Sequence, residues 1–219
     1  MKIVAISDTH LKHRKLHLPQ ADMIIHAGDV SSRGKESEII DFLSWYEDLK
    51  NYKYKIFIAG NHDFYFENNI KEEIEKIIPP SVIYLNDSSV CIEGINIWGS
   101  PISPWFYDWA FNRQRGPEIK KHWDLIPQDT DMLITHGPVF GKLDRTVGGS
   151  HVGCEDLLNT ILSIKPKIHI CGHIHEGYGV NEGKFTTFIN ASVLDINYEI
   201  KNRPIVFEIN ELKDIVNFE

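Results

Sequence analysis

Short, continuous apolar runs recur along the chain, and five of them stop abruptly just before a polar side chain that can bind a metal ion. The runs cover residues 3–6, 23–25, 56–59, 132–134 and 168–170, and the polar residues beyond them are Asp8, Asp29, Asn61, His136 and His173. Uninterrupted apolar runs of this length are typical of strands covered on both faces. One such polar residue is most simply a turn residue, but five together predict a shared site at the carboxyl ends of the strands.

Helical patterns separate several of these runs. Amphipathic helices are predicted at residues 37–50, at residues 67–78, where two prolines end the pattern, and around residues 156–164. From residue 89 onward the pattern changes to short strands, at residues 89–94, 95–100, 184–190 and 203–210. We therefore expect an α/β protein in which two packed sheets are flanked by helices.

The composition is that of an ordinary globular domain. The 219 residues are 42% hydrophobic and 25% charged, and no Gly/Ser/Pro-rich linker or charge block divides them. A chain of this length buries a large core without help from disulfides or metal. The sequence therefore predicts a single domain over residues 1–219, in which any metal serves chemistry.

The net charge limits the choice of partners. The chain carries 23 Lys and Arg against 31 Asp and Glu, a formal charge of −8, and no stretch gathers basic residues into a stripe. Long nucleic acid is therefore not an expected partner. A small anionic substrate remains compatible with this charge, because a metal cluster reverses the local field within one cleft.

Cysteine usage and the amino-terminal residues bear on the compartment. Cys91, Cys154 and Cys171 are odd in number and widely spaced, which is typical of reduced thiols. The first ten residues, MKIVAISDTH, contain no signal-peptide core, and no apolar run approaches the 18 residues of a membrane span. These features predict a cytoplasmic protein without a membrane partner.

The polar residues at the strand ends fall into short motifs. In order, the chain offers Asp8-x-His10, Gly28-Asp29, Gly60-Asn61-His62-Asp63, His136-Gly137 and Gly172-His173-Ile174-His175. These oxygen and nitrogen donors, with no thiolate among them, suit a pair of divalent ions such as Mn²⁺, Fe or Zn²⁺. Side chains two residues apart on an extended segment share a face, so each D-x-H or H-x-H pair can reach one cluster.

This ordered set resembles the calcineurin-like metallophosphoesterases, whose pattern is DxH, GD, GNH(D/E), H and GHxH. The stretches GSPISPWFYDWAFNRQRG, THGPVFGKLD, VGCEDLLNT and HICGHIHEGYG, followed by INASV, are similar to the metallophosphoesterase-domain-containing branch of that family. The resemblance covers nearly the whole chain. It implies a four-layer α/β/β/α sandwich with a two-metal site at the strand ends.

The resemblance also implies a ligand set. One ion would be held by Asp8, His10, Asp29 and His175, and the other by Asp29, Asn61, His136 and His173, so that Asp29 bridges the two. In the implied reaction a hydroxide that bridges the ions attacks phosphorus, and no covalent intermediate forms. His62 corresponds to the family histidine near the leaving group, where it donates a proton or stabilises the departing oxygen.

One stretch departs from a wider pattern of the superfamily. Phosphoprotein phosphatases read GDxxDRG, where the second Asp supports the catalytic histidine, but this chain has GDVSSRG with Ser32 in that place. Asp63 is then the candidate to support His62, with a helix N-cap or a partner for a nearby backbone amide as its alternative roles. Arg33, at the position of the phosphate clamp, is a candidate to join Asn61 and His62 in contacting the substrate, but a solvated side chain is favoured for an Arg at a helix entrance.

The remaining histidines and aromatic residues have plainer interpretations. A buried packing role is favoured for His26 over metal binding, and His13 and His17 are expected in a solvated loop near the cleft. Structural or surface roles are expected for His122, His151 and His169. Residues 105–111 hold five aromatic side chains, whose default role is a core or dimer contact and whose functional alternative is a surface on which nucleobases stack.

We therefore expect a divalent-metal-dependent phosphoesterase, and more specifically a phosphodiesterase for small nucleotide-like diesters. A phosphomonoesterase, a two-metal nuclease and a non-catalytic metal-binding scaffold are the alternatives. The acidic chain argues against the nuclease, and the complete ligand set argues against the scaffold. No pattern in the sequence indicates an oligomeric state.

Overall fold

A computed structural model of the protein describes residues 1–218, and its first sheet carries the amino-terminal motifs. The strands of this sheet are β1 (Lys2–Ile6), β2 (Met23–Ala27), β3 (Tyr54–Ile58), β4 (Ile83–Tyr84), β13 (Ile205–Ile209) and β14 (Ile215–Phe218), in the order β14-β13-β1-β2-β3-β4. Strands β1 to β4 run parallel, whereas β13 and β14 pair antiparallel. The DxH, GD and GNHD motifs therefore follow three adjacent parallel strands.

The second sheet carries the carboxyl-terminal motifs. Its strands are β5 (Ser88–Ile92), β6 (Ile95–Ser100), β9 (Met132–Thr135), β10 (Ile168–Cys171), β11 (Gly179–Glu182) and β12 (Thr187–Asn190), in the order β11-β12-β10-β9-β6-β5. The four inner strands are parallel and the two edges are antiparallel. Two short strands, β7 (Ser103–Pro104) and β8 (Asn112–Arg113), pair separately and enclose the aromatic residues 105–111.

Helices cover the outer faces of both sheets. They are α1 (Glu36–Glu47), α2 (Phe64–Asn68), α3 (Lys71–Ile77), α4 (Pro117–Trp123) and α5 (Glu155–Ile164), with 3₁₀ turns at His13–Lys15 and His175–Gly177. Helix α1 lies on the first sheet, where the Tyr46 hydroxyl donates to the carbonyls of Ile24 (3.0 Å) and Ile56 (2.7 Å). Helix α4 begins at Pro117, directly after Gly116. Proline is favoured at the first position of a helix, where its missing amide hydrogen has no helical partner to lose.

The two sheets face each other across an aliphatic core. Ile25 and Ile56 of the first sheet share this core with Ile134 and Ile170 of the second, and all four are fully buried. A second set of buried residues, which includes Phe42 of α1, lies between the helices and the outer sheet faces. The layers are therefore helix, sheet, sheet and helix, which confirms the predicted α/β/β/α sandwich.

The predicted helix over residues 67–78 is wrong in its continuity. Asn69 and Ile70 have extended backbones and separate α2 from α3. The Asn69 side chain donates to the carbonyl of Tyr65 at 2.8 Å. An Asn side chain that bonds to the nearby backbone competes with the helical hydrogen bond, which explains the break.

The expected solvated position of His13 is also wrong. Its side chain is fully buried, with the ring 4.8 Å from that of Trp45 and Nε2 3.1 Å from a carboxylate oxygen of Asp41. Burial lowers the pKa of His13 to about 4 despite that carboxylate. The residues around His13, which are Lys12, Arg14 and Lys15, are basic, so the sequence predicts an exposed segment. The 3₁₀ turn nevertheless points the His13 side chain inward.

His169 of β10 gives a stability prediction. Its Nε2 donates to the Thr135 hydroxyl at 2.8 Å, because that hydroxyl itself donates to the Gly137 carbonyl. Burial lowers the pKa of His169 from 6.5 to about 3. Between pH 6.5 and pH 3, therefore, this residue binds a proton in the unfolded chain but not in the folded protein. Stability is highest above pH 6.5 and falls as the pH drops, by about 2 kcal/mol between pH 7 and pH 5 from this group.

Urea unfolding of the wild type and His169→Gln at both pH values measures this contribution. We expect the variant to lose about 2 kcal/mol less than the wild type between pH 7 and pH 5. Other buried histidines titrate in both proteins and cancel in the comparison. Equal losses in the two proteins would contradict the assignment.

Candidate metal centre

The polar strand ends of the two sheets meet at one edge of the sandwich. The Asp8 amide donates to the Gly28 carbonyl at 2.9 Å, which joins the DxH and GD loops. The His173 amide lies 3.0 and 3.1 Å from the two carboxylate oxygens of Asp8, which ties the second sheet to the first. The structure thus brings the five predicted strand-end residues into one region.

Several of these residues have an uncommon backbone conformation. The φ angles of Asp8, His10, Asp29 and His173 are 55°, 38°, 58° and 67°, in the left-handed region that non-glycine residues seldom occupy. Such conformations cost free energy and cluster at functional sites. Here they turn the backbone sharply where it leaves each strand, so that the side chains point toward one another.

The first group of donors consists of Asp8, His10 and His175, whose ligand atoms all lie within 4.8 Å of one another. His175 Nε2 is 3.6 Å from Asp8 Oδ1. Its Nδ1 lies 2.9 Å from the Asp195 carbonyl and donates to it, so Nε2 is the nitrogen that faces the group. A ring held by its other nitrogen in this way is the usual arrangement of a metal-binding histidine.

The second group consists of Asp29, His136 and His173, again within 4.8 Å of one another. His136 donates from Nδ1 to the Ala27 carbonyl at 2.9 Å and turns Nε2 toward the group. That Nε2 is 3.3 Å from Asp29 Oδ2 and 2.9 Å from Asn61 Oδ1. Asn61 is thereby placed beside the second group, where the sequence predicted it.

Asp29 lies between the two groups. Its Oδ2 is 3.3 Å from His136 Nε2, 3.6 Å from His10 Nε2 and 4.0 Å from His62 Nε2. Its Oδ1 accepts a hydrogen bond of 2.8 Å from the His62 amide. One carboxylate oxygen therefore faces both groups while the other holds the GNHD loop.

The donor set fits divalent cations. His10 Nε2 is buried without a hydrogen-bond partner, and it points into the space beside Asp29. An unsatisfied buried nitrogen is costly, and a bound cation would satisfy it. Two carboxylates, four imidazoles and one amide oxygen suit Mn²⁺, Fe or Zn²⁺ better than a soft, thiolate-seeking ion.

The ionisation of these groups reflects their mutual contacts. Burial lowers the pKa of His136, but the adjacent Asp29 carboxylate more than offsets this effect, and the pKa is about 9. Burial is likewise outweighed by Asp8 at His175, whose pKa is about 9. Burial and the charge of His136 lower the pKa of His173 to about 3. Bound cations would take the place of the protons on His136 and His175.

Asp63 does not support His62, which corrects the role expected from the sequence. Its buried carboxylate accepts from the amides of Gly60 (2.8 Å), Val30 (3.1 Å) and Ser31 (2.9 Å), and from the Ser31 hydroxyl at 2.6 Å. Burial and the nearby charge of Asp29 raise its pKa to about 6. Asp63 instead links the GNHD loop to the GD loop.

His62 is held by the backbone of the very residue that departs from the family pattern. Its Nδ1 lies 2.8 Å from the carbonyl oxygen of Ser32 and donates to it. Nε2 therefore points toward Asp29 and the donor groups. The missing carboxylate at residue 32 is replaced by a main-chain acceptor, which the sequence could not reveal because every residue has a carbonyl.

Arg33 is also placed differently from the expected phosphate clamp. It is exposed, and its guanidinium lies over the ring of Trp109, 5.0 Å from the ring centroid. Among the described residues, those that line the cleft over the donor groups do not include Arg33.

The cleft over the donor groups has a volume of about 460 Å³, and its lining includes the aromatic side chains of Trp105, Phe106, Trp109 and Tyr198. The aromatic segment, residues 105–111, contributes Trp105, Phe106 and Trp109 to the wall of this cleft. Part of the segment therefore lies at the candidate site rather than in the core. The Phe106 ring lies 5.1 Å from that of His173. Tyr198, which the sequence analysis missed, lies 4.9 Å from the His10 ring.

The other histidines have the structural roles that were expected of them. His26 is fully buried, and its Nε2 lies 2.9 Å from the hydroxyl of Thr9, the residue between Asp8 and His10. His122 Nδ1 is 2.6 Å from an Asp87 carboxylate oxygen, and His151 Nδ1 is 2.7 Å from one of Asp144. Cys171 is buried at the end of β10, where burial raises its thiol pKa.

Ser192 is a further residue without an assigned role in the sequence analysis, although it lies in the quoted stretch INASV. It is fully buried, and its hydroxyl donates to Asp8 Oδ2. We expect Ser192→Ala to weaken divalent-metal binding about 10- to 100-fold, because a ligand carboxylate loses the donor that orients it. Competition with a chromophoric chelator measures this effect, and unchanged affinity would show that the His173 amide alone orients Asp8.

Among the described residues, none of the helices is long and apolar enough to cross a membrane.

Comparisons with known proteins agree with this geometry. A family model described as calcineurin-like phosphoesterase matches residues 1–177. Human metallophosphoesterase domain-containing protein 1 is 42% identical, over 95% of this chain and 71% of the human protein. Two solved structures share the fold: phosphopantetheinyl hydrolase of Mycobacterium tuberculosis (TM-score 0.59, 14% identity, 90% of each chain) and an archaeal phosphodiesterase (TM-score 0.51, 18% identity, 100% of this chain and 98% of the other).

Proposed function

Since this chain belongs to the calcineurin-like phosphoesterase family, we propose that it is a divalent-metal-dependent phosphodiesterase for small, nucleotide-like diesters. The observation that carries the proposal is the pair of donor groups, Asp8–His10–His175 and Asp29–His136–His173, with the Asp29 carboxylate of the second group also facing His10 of the first. Two divalent cations bound there would supply Lewis acidity toward a phosphoryl group and would lower the pKa of a water molecule.

We assign the residues around the cations as follows. Asp8, His10, Asp29 and His175 would hold one cation, and Asp29, Asn61, His136 and His173 would hold the other. The carbonyls of Ala27 and Asp195 fix the ligand tautomers of His136 and His175 by accepting from Nδ1. Preorganised ligands of this kind need no rearrangement as charge develops on the phosphoryl oxygens.

His62 is proposed to act on the leaving group. Its Nδ1–H is engaged by the Ser32 carbonyl, so an imidazolium at this position has its transferable proton on Nε2, which faces the donor groups. This proton passes to the departing oxygen as the P–O bond breaks. Asn61 and His62 are then the residues closest to the substrate phosphate.

Several observations favour a diester over a monoester. The aromatic wall of the cleft suits a substrate with a planar group on the side away from the phosphate. One protein of the same fold is itself described as a phosphodiesterase. A net charge of −8 without a basic stripe supports a small substrate rather than a polynucleotide.

A substrate panel tests the preference. Protein reconstituted with Mn²⁺ is assayed on cyclic nucleotides, aryl diesters and aryl monoesters, and on single- and double-stranded DNA and RNA at low salt. We expect turnover of the small diesters and none of the polynucleotides. Selective turnover of monoesters would overturn the diester assignment, and turnover of nothing under any divalent metal would favour the scaffold alternative.

A further inference from the structure

Three side chains from three separate loops form a stack at the mouth of the cleft. The Trp109 ring lies 4.3 Å from the His62 ring with an interplanar angle of 31°. The Arg33 guanidinium covers Trp109 at 5.0 Å from the ring centroid. The Trp109 ring therefore contacts both a cation and an imidazole, and the imidazole is that of the proposed proton donor.

The backbone fixes the register of this stack. The amide of Ala110, the residue after Trp109, donates to the carbonyl of Asn61, the residue before His62, at 3.2 Å. Glu67 holds the end of the same segment by accepting from the Phe111 amide (3.0 Å) and from Arg113 (3.1 Å). Trp109 is thus carried by a segment that is anchored directly to the GNHD loop.

The loop that carries Arg33 is anchored as well. A carboxylate oxygen of Glu38 in α1 accepts from the amides of Ser32 (3.2 Å), Arg33 (3.1 Å) and Lys35 (3.4 Å). The same loop supplies the Ser32 carbonyl that accepts from His62 Nδ1. One loop therefore contacts the edge of the His62 ring through the Ser32 carbonyl and contacts the Trp109 ring through Arg33.

These contacts define the orientation of the imidazole. A single hydrogen bond at Nδ1 leaves the ring free to swing about that bond, whereas an indole packed on its face removes this freedom. His10 contacts the ring edge on, with centroids 4.6 Å apart and an interplanar angle of 82°. The Ser32 carbonyl, the Trp109 indole and the His10 ring together fix the direction in which His62 Nε2 points.

We propose that Trp109, which Arg33 also contacts, is a positioning residue that holds the His62 ring for proton transfer to the leaving group, together with the Ser32 carbonyl that takes the place of the GDxxDRG carboxylate. This inference rests on the proposed function and adds that the reaction requires the contact between Trp109 and His62. An oxygen derived from water forms a new bond to phosphorus while the bond from phosphorus to the leaving oxygen breaks. The electron pair of the broken bond stays on the leaving oxygen, which takes the Nε2 proton. His62 is then neutral, keeps its Nδ1–H on Ser32, and regains a proton from water.

The alternative role for Trp109 is direct stacking on a substrate base. The Trp109 ring already contacts both His62 and Arg33, which argues against this role because less of its surface is free. Trp105, which also lines the cleft and is 50% exposed, has more free surface for such a contact. The two roles give different kinetic signatures.

The first test needs no activity. In metal-free protein labelled at histidine Cε1, the His62 proton resonance is assigned by its loss in His62→Gln. An indole stacked at this distance shifts that resonance upfield by its ring current, so we expect Trp109→Ala to move it downfield by several tenths of a ppm, and Trp105→Ala to leave it in place. An unmoved resonance in Trp109→Ala would overturn the stack, whatever the enzyme hydrolyses.

The second test compares leaving groups. Methyl p-nitrophenyl phosphate releases a weakly basic oxygen that needs little protonation, whereas methyl phenyl phosphate releases a more basic one. We expect Trp109→Ala to lower kcat for the phenyl ester up to about 100-fold, because misplacing a catalytic group by about 1 Å costs about that much. The p-nitrophenyl ester should lose less than about 5-fold, with metal content unchanged and Trp109→Phe largely restored.

Further variants separate the outcomes. Arg33→Met should show the same selectivity as Trp109→Ala at smaller amplitude, because it removes only the cation behind the indole. An equal loss on both esters, or a rise in KM with unchanged kcat, would overturn the positioning role and indicate substrate stacking. If neither ester is hydrolysed by the wild type, the proposed function fails, and the resonance shift still decides whether Trp109 holds His62.

Discussion

We expect Asp29→Asn to lower kcat/KM for an aryl phosphodiester by about 1,000-fold or more, since losing Lewis-acid stabilisation worth several kcal/mol corresponds to a factor of that size. The reason lies in Asp29 Oδ2, which faces His136 Nε2 at 3.3 Å and His10 Nε2 at 3.6 Å. An amide carries no charge with which to offset the repulsion between two cations. Steady-state kinetics and metal analysis of the purified variant measure the effect, and we expect fewer than two ions per chain.

The substitution separates chemistry from folding. The Asn side-chain oxygen can still accept from the His62 amide, as Asp29 Oδ1 does at 2.8 Å, so the GNHD loop keeps its anchor. Asp48→Asn, at an exposed position after α1, is the matched control and should retain full activity. A variant of Asp29 that keeps both metal stoichiometry and rate would refute the bridging role.

Gly172→Ala is expected to have a comparable effect through a steric route. A Cβ at residue 172 would lie 2.0 Å from Ser7 Oγ and 2.2 Å from Asp8 Oδ2. Neither atom can retreat cheaply, because both residues are fully buried and Asp8 is held by the His173 amide. Overpacking of this kind costs about 1–3 kcal/mol of stability, and it displaces a metal ligand as well.

The measurements are urea unfolding and metal titration of Gly172→Ala. We expect a stability loss of about 1–3 kcal/mol and at least a 100-fold weaker first metal site. Gly148→Ala is the control, because its Cβ would meet only Thr146 Oγ1 at 3.8 Å. Normal metal affinity in folded Gly172→Ala would mean that Asp8 does not need its present position.

The strand ends were predictable because the signal is local. A buried strand is a continuous apolar run, and the residue that ends the run marks the turn into the site, so Asp8, Asp29 and His136 could be placed without any tertiary information. The α/β/β/α layers then followed from the resemblance. Exact helix limits did not, since the Asn69 side chain, rather than periodicity, ends α2.

The support of His62 could not be predicted from residue types. Sequence patterns record side chains, and the loss of a carboxylate at Ser32 suggested that Asp63 had taken its place. The structure instead uses the Ser32 carbonyl, while Asp63 binds backbone amides of the GD loop. Main-chain acceptors carry no signature in a sequence, and contacts such as Tyr198 over His10 span 188 positions of the chain.

Titration of metal-stripped protein with Mn²⁺, followed by hydrolysis of an aryl phosphodiester, tests the central claim most directly. The account predicts no hydrolysis without metal and a rate that rises until two ions are bound per chain. Saturation at one ion, or no hydrolysis with Mn²⁺, Fe or Zn²⁺, would contradict a two-metal phosphodiesterase.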